Sequence, residues 1–262
     1  MMFKRIREEG KEDKGIPLSP QPLISSSGSS DWPQIRPSGD SAVLVEFENQ
    51  IDPEVNRKVR ALALAIESEP FPGIQEVLPA YRALMVTYDP LTIQYRDLID
   101  EIHLRIKKAG SLDLPPRRLF RLPAVYGGPH GPDLQRVADI VHLSPEEVVR
   151  IFSTTHFMVY FIGFICGLAY LGGLPEVLQV PRLATPRTLV PAGSVGLAGG
   201  QANAITTDQP SGFNYIGRTF VSLYDPRVFP PLPFVSGDEI IFLSMPEEEA
   251  LKAQGRAATN FL

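Results

Sequence analysis

The chain has 262 residues and a formal net charge of −5, from 25 Lys and Arg against 30 Asp and Glu. That mild acidity, with no long block of like charge, argues against a general binder of nucleic acid or of anionic membranes. A single cysteine, Cys166, excludes a disulfide framework or a cysteine-based zinc site within the chain and fits a reducing, cytoplasmic setting. The 26 prolines and 21 glycines point to many turns and short elements, not to a helical bundle.

Residues 1–31 mix charges with a Ser-rich stretch and offer little apolar surface, so a disordered tail is expected. Ser41–Phe47 is β-branched and apolar, a strand. Asp52-Pro53-Glu54 then opens a helix, with Asp52 as N-cap and Pro53 at the first helical position. Val55, Val59, Leu62 and Ile66 give that helix one apolar face. Pro70, Pro72 and Gly73 end it. Ile74–Leu78 and Ala83–Tyr88 read as strands, and Leu98, Ile99, Ile102 and Ile106 mark a second amphipathic helix closed by Gly110. A strand around Arg118–Leu122 follows. The order β-α-β-β-α-β is the split, ferredoxin-like arrangement, an α+β domain expected over residues 32–125.

A turn region, Tyr126–Leu134, leads into two short helices, a connector over residues 126–155. Ser144-Pro145-Glu146-Glu147 is a capping-box start for the second. From about Phe157 the helical period is lost, and short apolar runs alternate with Pro/Gly turns. An all-β barrel or sandwich is expected over residues 156–246, and a tail or short charged helix over 247–262. Phe157–Leu174 has 18 residues and no charge, which meets the length threshold for a membrane span. Its β-branched and aromatic start, and the Gly172-Gly173 and Pro175 that end it, favour a buried strand and a glycine-rich turn.

Few side chains stand out as chemistry. His103, His130, His142 and His156 show no helical metal-ligand spacing and no carboxylate cluster, so no metal site is evident. His103 reads as solvent-facing; His130, in a Gly/Pro turn, is a surface residue or a site residue. Ser194 lacks the Gly-x-Ser-x-Gly context of a nucleophile elbow. Cys166, flanked by apolar residues, reads as a buried, inert thiol. Gly196–Gly200 is glycine-rich but has neither the lysine nor the helix start of a phosphate loop. Arg182, Arg187 and Arg218 lie in Pro/Gly-rich surroundings, where a guanidinium reaches a carboxylate or phosphate, or pairs with a structural carboxylate such as Asp225.

Six stretches carry a resemblance to a known family. They are RPSGDSAVLVEF (Arg36–Phe47), LPAYRALMVTYDPL (Leu78–Leu91), YGGxxGPDL (Tyr126–Leu134), GFxxGxxYLGGLP (Gly163–Pro175), PRxxxPRxxVPAGSVG (Pro181–Gly196) and IGRT (Ile216–Thr219). On these the chain resembles the family of KipI and the 5-oxoprolinase B subunits, also called allophanate hydrolase subunit 1, whose members resemble part of the carboxyltransferase region of urea carboxylase. The resemblance implies a ferredoxin-like domain followed by a cyclophilin-like β-barrel. It implies a B subunit working with a homologous C subunit and an A subunit to hydrolyse 5-oxoproline with ATP, the ATP being bound by the complex. A non-catalytic role, as in a KipI-type inhibitor of a histidine kinase, is the alternative.

Within that resemblance Arg218 and Gln201 are candidate catalytic residues, Arg218 for charge stabilisation and Gln201 to orient a carbonyl or a water. Tyr170, Pro191, Gly193, Ser194, Arg187 and His130 are candidates for binding substrate or nucleotide. The chain also departs from the family pattern. After Gln201 it carries Ala202-Asn203-Ala204-Ile205-Thr206 and then Gln209–Phe213, where the pattern has other polar, glycine and aromatic residues. Cys166 and Leu168 replace a proline and an aromatic, and an expected histidine falls on Phe152. The scaffold is kept while part of the expected pocket wall differs.

Overall fold

The computed structural model describes residues 32–165 and 167–262. The expected tail and the thiol of Cys166 lie outside the described residues. The first layer is an antiparallel sheet with two helices on one face. Its strands are β1 (Gln34–Pro37), β2 (Ala42–Glu46), β3 (Ile74–Pro79) and β4 (Ala83–Tyr88), in the order β1-β2-β4-β3. Helices α1 (Pro53–Ser68) and α2 (Tyr95–Ala109) cover Val43, Val45, Leu84 and Val86. Asp52 caps α1 as expected, its carboxylate accepting from the amides of Glu54 (2.8 Å) and Val55 (3.3 Å).

The ferredoxin-like expectation needs correction at its last strand. The segment after α2 forms β5 (Leu119–Tyr126), which does not return to this sheet. It enters the second layer, and the edge place beside β2 is taken by β1, with Ile35 opposite Val45. Two features explain the switch. Pro115-Pro116 lack the amides that a returning edge strand would donate. The alternation Phe120, Leu122, Ala124 supplies an apolar face that is fully buried in the barrel core.

The second layer is a closed barrel of seven strands. After β5 its members are β6 (Phe157–Ile162), β7 (Ala169–Gly172), β9 (Ser194–Ala198), β10 (Gln201–Ala204), β12 (Asn214–Thr219) and β13 (Glu239–Ser244). Their order around the barrel is β10-β7-β6-β13-β5-β12-β9. The barrel therefore draws a strand from the span expected to complete the first domain. A separate ribbon pairs β8 (Arg187–Val190) with β11 (Gln209–Ser211). The charge-free run 157–174 is a β6–β7 pair inside this barrel. Among the described residues no helix is long and apolar enough to cross a membrane.

Helices α3 (Leu134–Val141) and α4 (Pro145–Ser153) contribute Val137, Ala138, Val148 and Phe152 to the barrel core. The capping box on α4 forms: Ser144 Oγ accepts from the Glu147 amide (3.2 Å) and Glu147 from the Ser144 amide (3.3 Å). Phe152, where the family pattern has a histidine, is fully buried among Phe157, Phe242 and Tyr126. A neutral ring suits that place, because an imidazole there would need a partner. The chain ends in a short helix, α5 (Glu247–Leu251), and a 3-10 turn, which bury Ala250 and Ala258.

One buried side chain joins the layers. Asn56, on α1, donates its amide to the carbonyls of Ala80 (3.2 Å), Tyr81 (3.2 Å) and, across the layers, Tyr160 (3.3 Å). Replacing Asn56 with Ala removes a donor from each of these carbonyls, of which Tyr160 keeps the Ser236 hydroxyl, and should cost about 1–3 kcal/mol in denaturant unfolding. A second expectation concerns pH. Burial works to raise the Glu239 pKa, but hydrogen bonds with Arg117 and His156 outweigh it, and the net shift is downward. A depressed carboxylate stabilises the fold above its ordinary value of 4.5 and loses that contribution as pH falls below it. Glu239→Gln should flatten the fall in stability below pH 4.5 in acid unfolding curves and leave stability at pH 7 lower by no more than about 1 kcal/mol.

Candidate functional site

The two residues expected to be catalytic face opposite ends of one strand, β9. Arg218 on β12 lies across from Ser194, the first residue of β9, and Gln201 on β10 lies across from Ala198, its last. Four residues of strand separate those ends, on the order of 13 Å. The fold therefore gathers Arg218 with Pro191, Gly193 and Ser194 and leaves Gln201 apart.

The Arg218 end is a cavity of about 230 Å³ whose lining includes Ala192, Gly193, Thr206, Arg218, Tyr224 and Gln254. Arg218 Nε donates to the Ala192 carbonyl (3.0 Å), and the guanidinium lies 5.6 Å from the centre of the Phe220 ring. Among the described residues no carboxylate pairs with it. The loop under it is held tightly. The Ala192 amide donates to Asp208 (2.8 Å), the Gly193 amide to the Ile205 carbonyl (2.6 Å), and the Gly193 carbonyl accepts from Thr219 (2.8 Å). Gly193 has φ +83°, and a Cβ there would overlap the Thr219 carbonyl oxygen. Ser194 is buried, and its backbone is bonded to Pro191 and Ile205. His130 shares the Phe220 ring edge-on at 5.3 Å, while its Nε2 is 2.9 Å from Glu247. It neighbours the cavity through that ring.

Arg187 belongs to a different arrangement. Both of its terminal nitrogens bind the carboxylate of Asp133, at 2.7 and 2.6 Å. Asp133 is buried and also accepts from the Tyr215 amide (2.8 Å). The pair fastens the β8–β11 ribbon to the barrel, so Arg187 is committed to structure. The carboxylate named from sequence, Asp225, instead pairs with Arg227, which pulls its pKa down to about 2. Asp133 lies in the YGGxxGPDL stretch; its position after Gly-Pro was the available signal.

Tyr170 lies on the outside of the barrel wall, opposite Asn203. It stacks on Phe161 at 4.3 Å and meets Tyr81, from the β3–β4 turn, edge-on at 6.0 Å. Burial raises its pKa against the pull of Arg182, whose guanidinium sits 4.9 Å from the centre of the Phe213 ring. Asn203 and Gln209, in the stretch that departs from the family pattern, are buried with side-chain oxygens that find no partner among the described residues. The sequence placed Asn203 and Gln209 in the altered pocket wall without marking them as buried, since nothing local marks an exposed-type amide so, and it did not single out Tyr81.

A guanidinium edge without a carboxylate, in a cavity lined by hydroxyl and amide groups, is suited to an anion or to a developing oxyanion. The model of the carboxyltransferase domain, subdomain C and D, matches residues 33–234. The chain belongs to this family. It is 36% identical over 226 residues to the 5-oxoprolinase B subunit of Bacillus subtilis, covering 82% of this chain and 94% of that protein. It is 35% identical to the 5-oxoprolinase B subunit of Escherichia coli O157:H7, covering 80% and 94%. Its fold matches the crystal structure of TTHA0988 with a TM-score of 0.69 at 30% identity, covering 81% of this chain and 40% of that one.

The two arginines should behave oppositely on substitution. Arg187→Met strands a buried carboxylate and should destabilise by about 3 kcal/mol, lowering Tm by roughly 6–12 °C in calorimetry. Arg218→Gln removes one hydrogen bond at a cavity wall and should cost less than about 1.5 kcal/mol by the same measurement.

Proposed function

We propose that this chain is the B-type component of an ATP-dependent 5-oxoprolinase and acts only with partner subunits, a homologous C subunit and an A subunit. The likeness to two bacterial 5-oxoprolinase B subunits over nearly their whole length carries this reading. The complex would convert 5-oxoproline, ATP and water to glutamate, ADP and phosphate. A five-membered lactam is a stable amide, so ATP supplies the driving force, in this reading by phosphorylating the ring carbonyl oxygen. Water then adds at the activated carbon and the C–N bond breaks with a proton going to nitrogen, which gives the γ-glutamyl phosphate; a second water adds at that acyl carbon, and phosphate leaves with the former ring carbonyl oxygen. Charge builds on oxygen in both steps, and Arg218 is the group placed to stabilise it. Gly193 lets the loop beside Arg218 pack closely against the Thr219 carbonyl, and the Phe220 ring lies near the guanidinium. Gln201, a strand length away, has no part in that step.

The test is reconstitution. Co-purified with its C and A partners, the chain should support 5-oxoproline-dependent release of phosphate and glutamate in equal amounts. Arg218→Ala should lower kcat by about 100-fold, the usual scale for loss of one charge-stabilising donor, with the complex intact. An assembled complex that turns over nothing, together with tight binding to a histidine kinase dimer, would instead establish a KipI-type inhibitor.

A further inference from the structure

A second arginine has no carboxylate partner among the described residues. Arg60 lies on α1 and is half-buried, and among the described residues it makes no hydrogen bond and no ion pair. It lines a cavity of about 320 Å³ between α1 and the barrel, together with Leu64, Pro79, Leu114 and Val235. The nearby carboxylates make no bond to it, although the charge of Asp238 attracts it. Asp238 is occupied by Arg118, at 3.1 and 2.5 Å, and by the Val235 amide at 2.8 Å. The neighbouring cations are occupied too, Arg57 by Glu54 and Arg117 by Glu239. Burial, and then repulsion from Arg117, hold the Arg60 pKa below the ordinary guanidinium value.

The site is built, because a glycine makes room for the charge. Gly237 has φ +98°, and a Cβ there would overlap the Arg60 guanidinium carbon. The guanidinium lies against the Gly237 backbone. A half-buried cation with no bonded counter-charge is costly unless something supplies one.

We infer that this cavity binds a small organic monocarboxylate, its carboxylate held by the Arg60 fork and its apolar part against Leu64, Pro79, Leu114 and Val235. The planar fork matches a carboxylate bidentately. A dianion is disfavoured, because Glu67 and Asp238 also line the cavity and a single cation faces the ligand. Glu67 lies seven residues along α1 from Arg60, roughly 10 Å away. The inference is independent of the reading given to Arg218.

Hexanoate is a suitable probe of the full chain, followed by titration calorimetry and by the side-chain NMR signal of Arg60. Saturable binding is expected with a Kd on the order of 1 mM, the scale for a ligand of this size. Hexanamide and inorganic phosphate should not compete. Arg60→Gln should weaken binding at least tenfold, and Arg218→Gln should leave it unchanged. In the ligand-free protein Arg60→Met should keep or raise Tm, because it removes an uncompensated charge. Equal hexanoate binding by Arg60→Gln, no binding by the native chain at tens of millimolar, or a lower Tm for Arg60→Met would each overturn the inference.

Discussion

The carboxylate of Asp133 is the point on which the Arg218 side of the barrel depends. It takes two hydrogen bonds from Arg187 and one from the Tyr215 amide, while its own amide donates to the Tyr215 carbonyl at 3.0 Å. Tyr215 sits at the shift in register of β12, where Tyr215 faces Gly196 and Gly217 faces Val195. Asp133 pins that irregularity to the turn before α3, and Arg187 brings the ribbon to the same point. Arg218 follows the shift on the same strand. Its place over the cavity is therefore tied to a buried ion pair on a neighbouring part of the barrel. Buried pairs of this kind are weak as sources of stability but strong as constraints, because breaking one leaves a bare charge inside.

Asn56 plays the corresponding part between the layers. A single amide group serves carbonyls from both, so the β3–β4 turn and β6 are held in one register. That contact brings Tyr81 against Tyr160 and Phe161 and extends the aromatic surface around Tyr170. Burial of Tyr81 raises its pKa, so the contact carries neutral phenols and is not a source of charge. The position of Tyr170 is thus shared between the two layers.

Much of the fold was legible because its signals are local. Asp52-Pro53 and Ser144-Pro145-Glu146-Glu147 start helices by satisfying free amides within three residues, and both caps form. The charge-free run 157–174 read as strand because its β-branched and aromatic residues outweigh its length. What failed was long-range pairing. The strand at 119–126 has no local feature that names its neighbour, and parallel pairing of Phe120 with Ile240 joins residues 120 positions apart. The edge place it left was filled by Gln34–Pro37, which precedes the span assigned to the first strand. The candidate site divides in the same way. Arg187, Ser194 and Arg218 were visible as a motif, but their separation into a structural clamp and an open cation depends on Asp133, which comes from another part of the chain.

Arg218 and Arg60, which pair with no carboxylate among the described residues, bear on how such a fold comes to hold charge in its cavities. Arg218 and Arg60 each lie beside a glycine with positive φ, Gly193 and Gly237, whose missing side chain gives space to a carbonyl in one case and to a guanidinium in the other. In both places the obvious acids are occupied elsewhere: Asp208 by the Ala192 amide, Asp238 by Arg118. A chain selected only for stability would pair these cations or replace them, since an uncompensated, partly desolvated charge stabilises nothing. The two proposed sites have this in common: a cation whose neighbouring acids are already bonded, open to a counter-charge from outside.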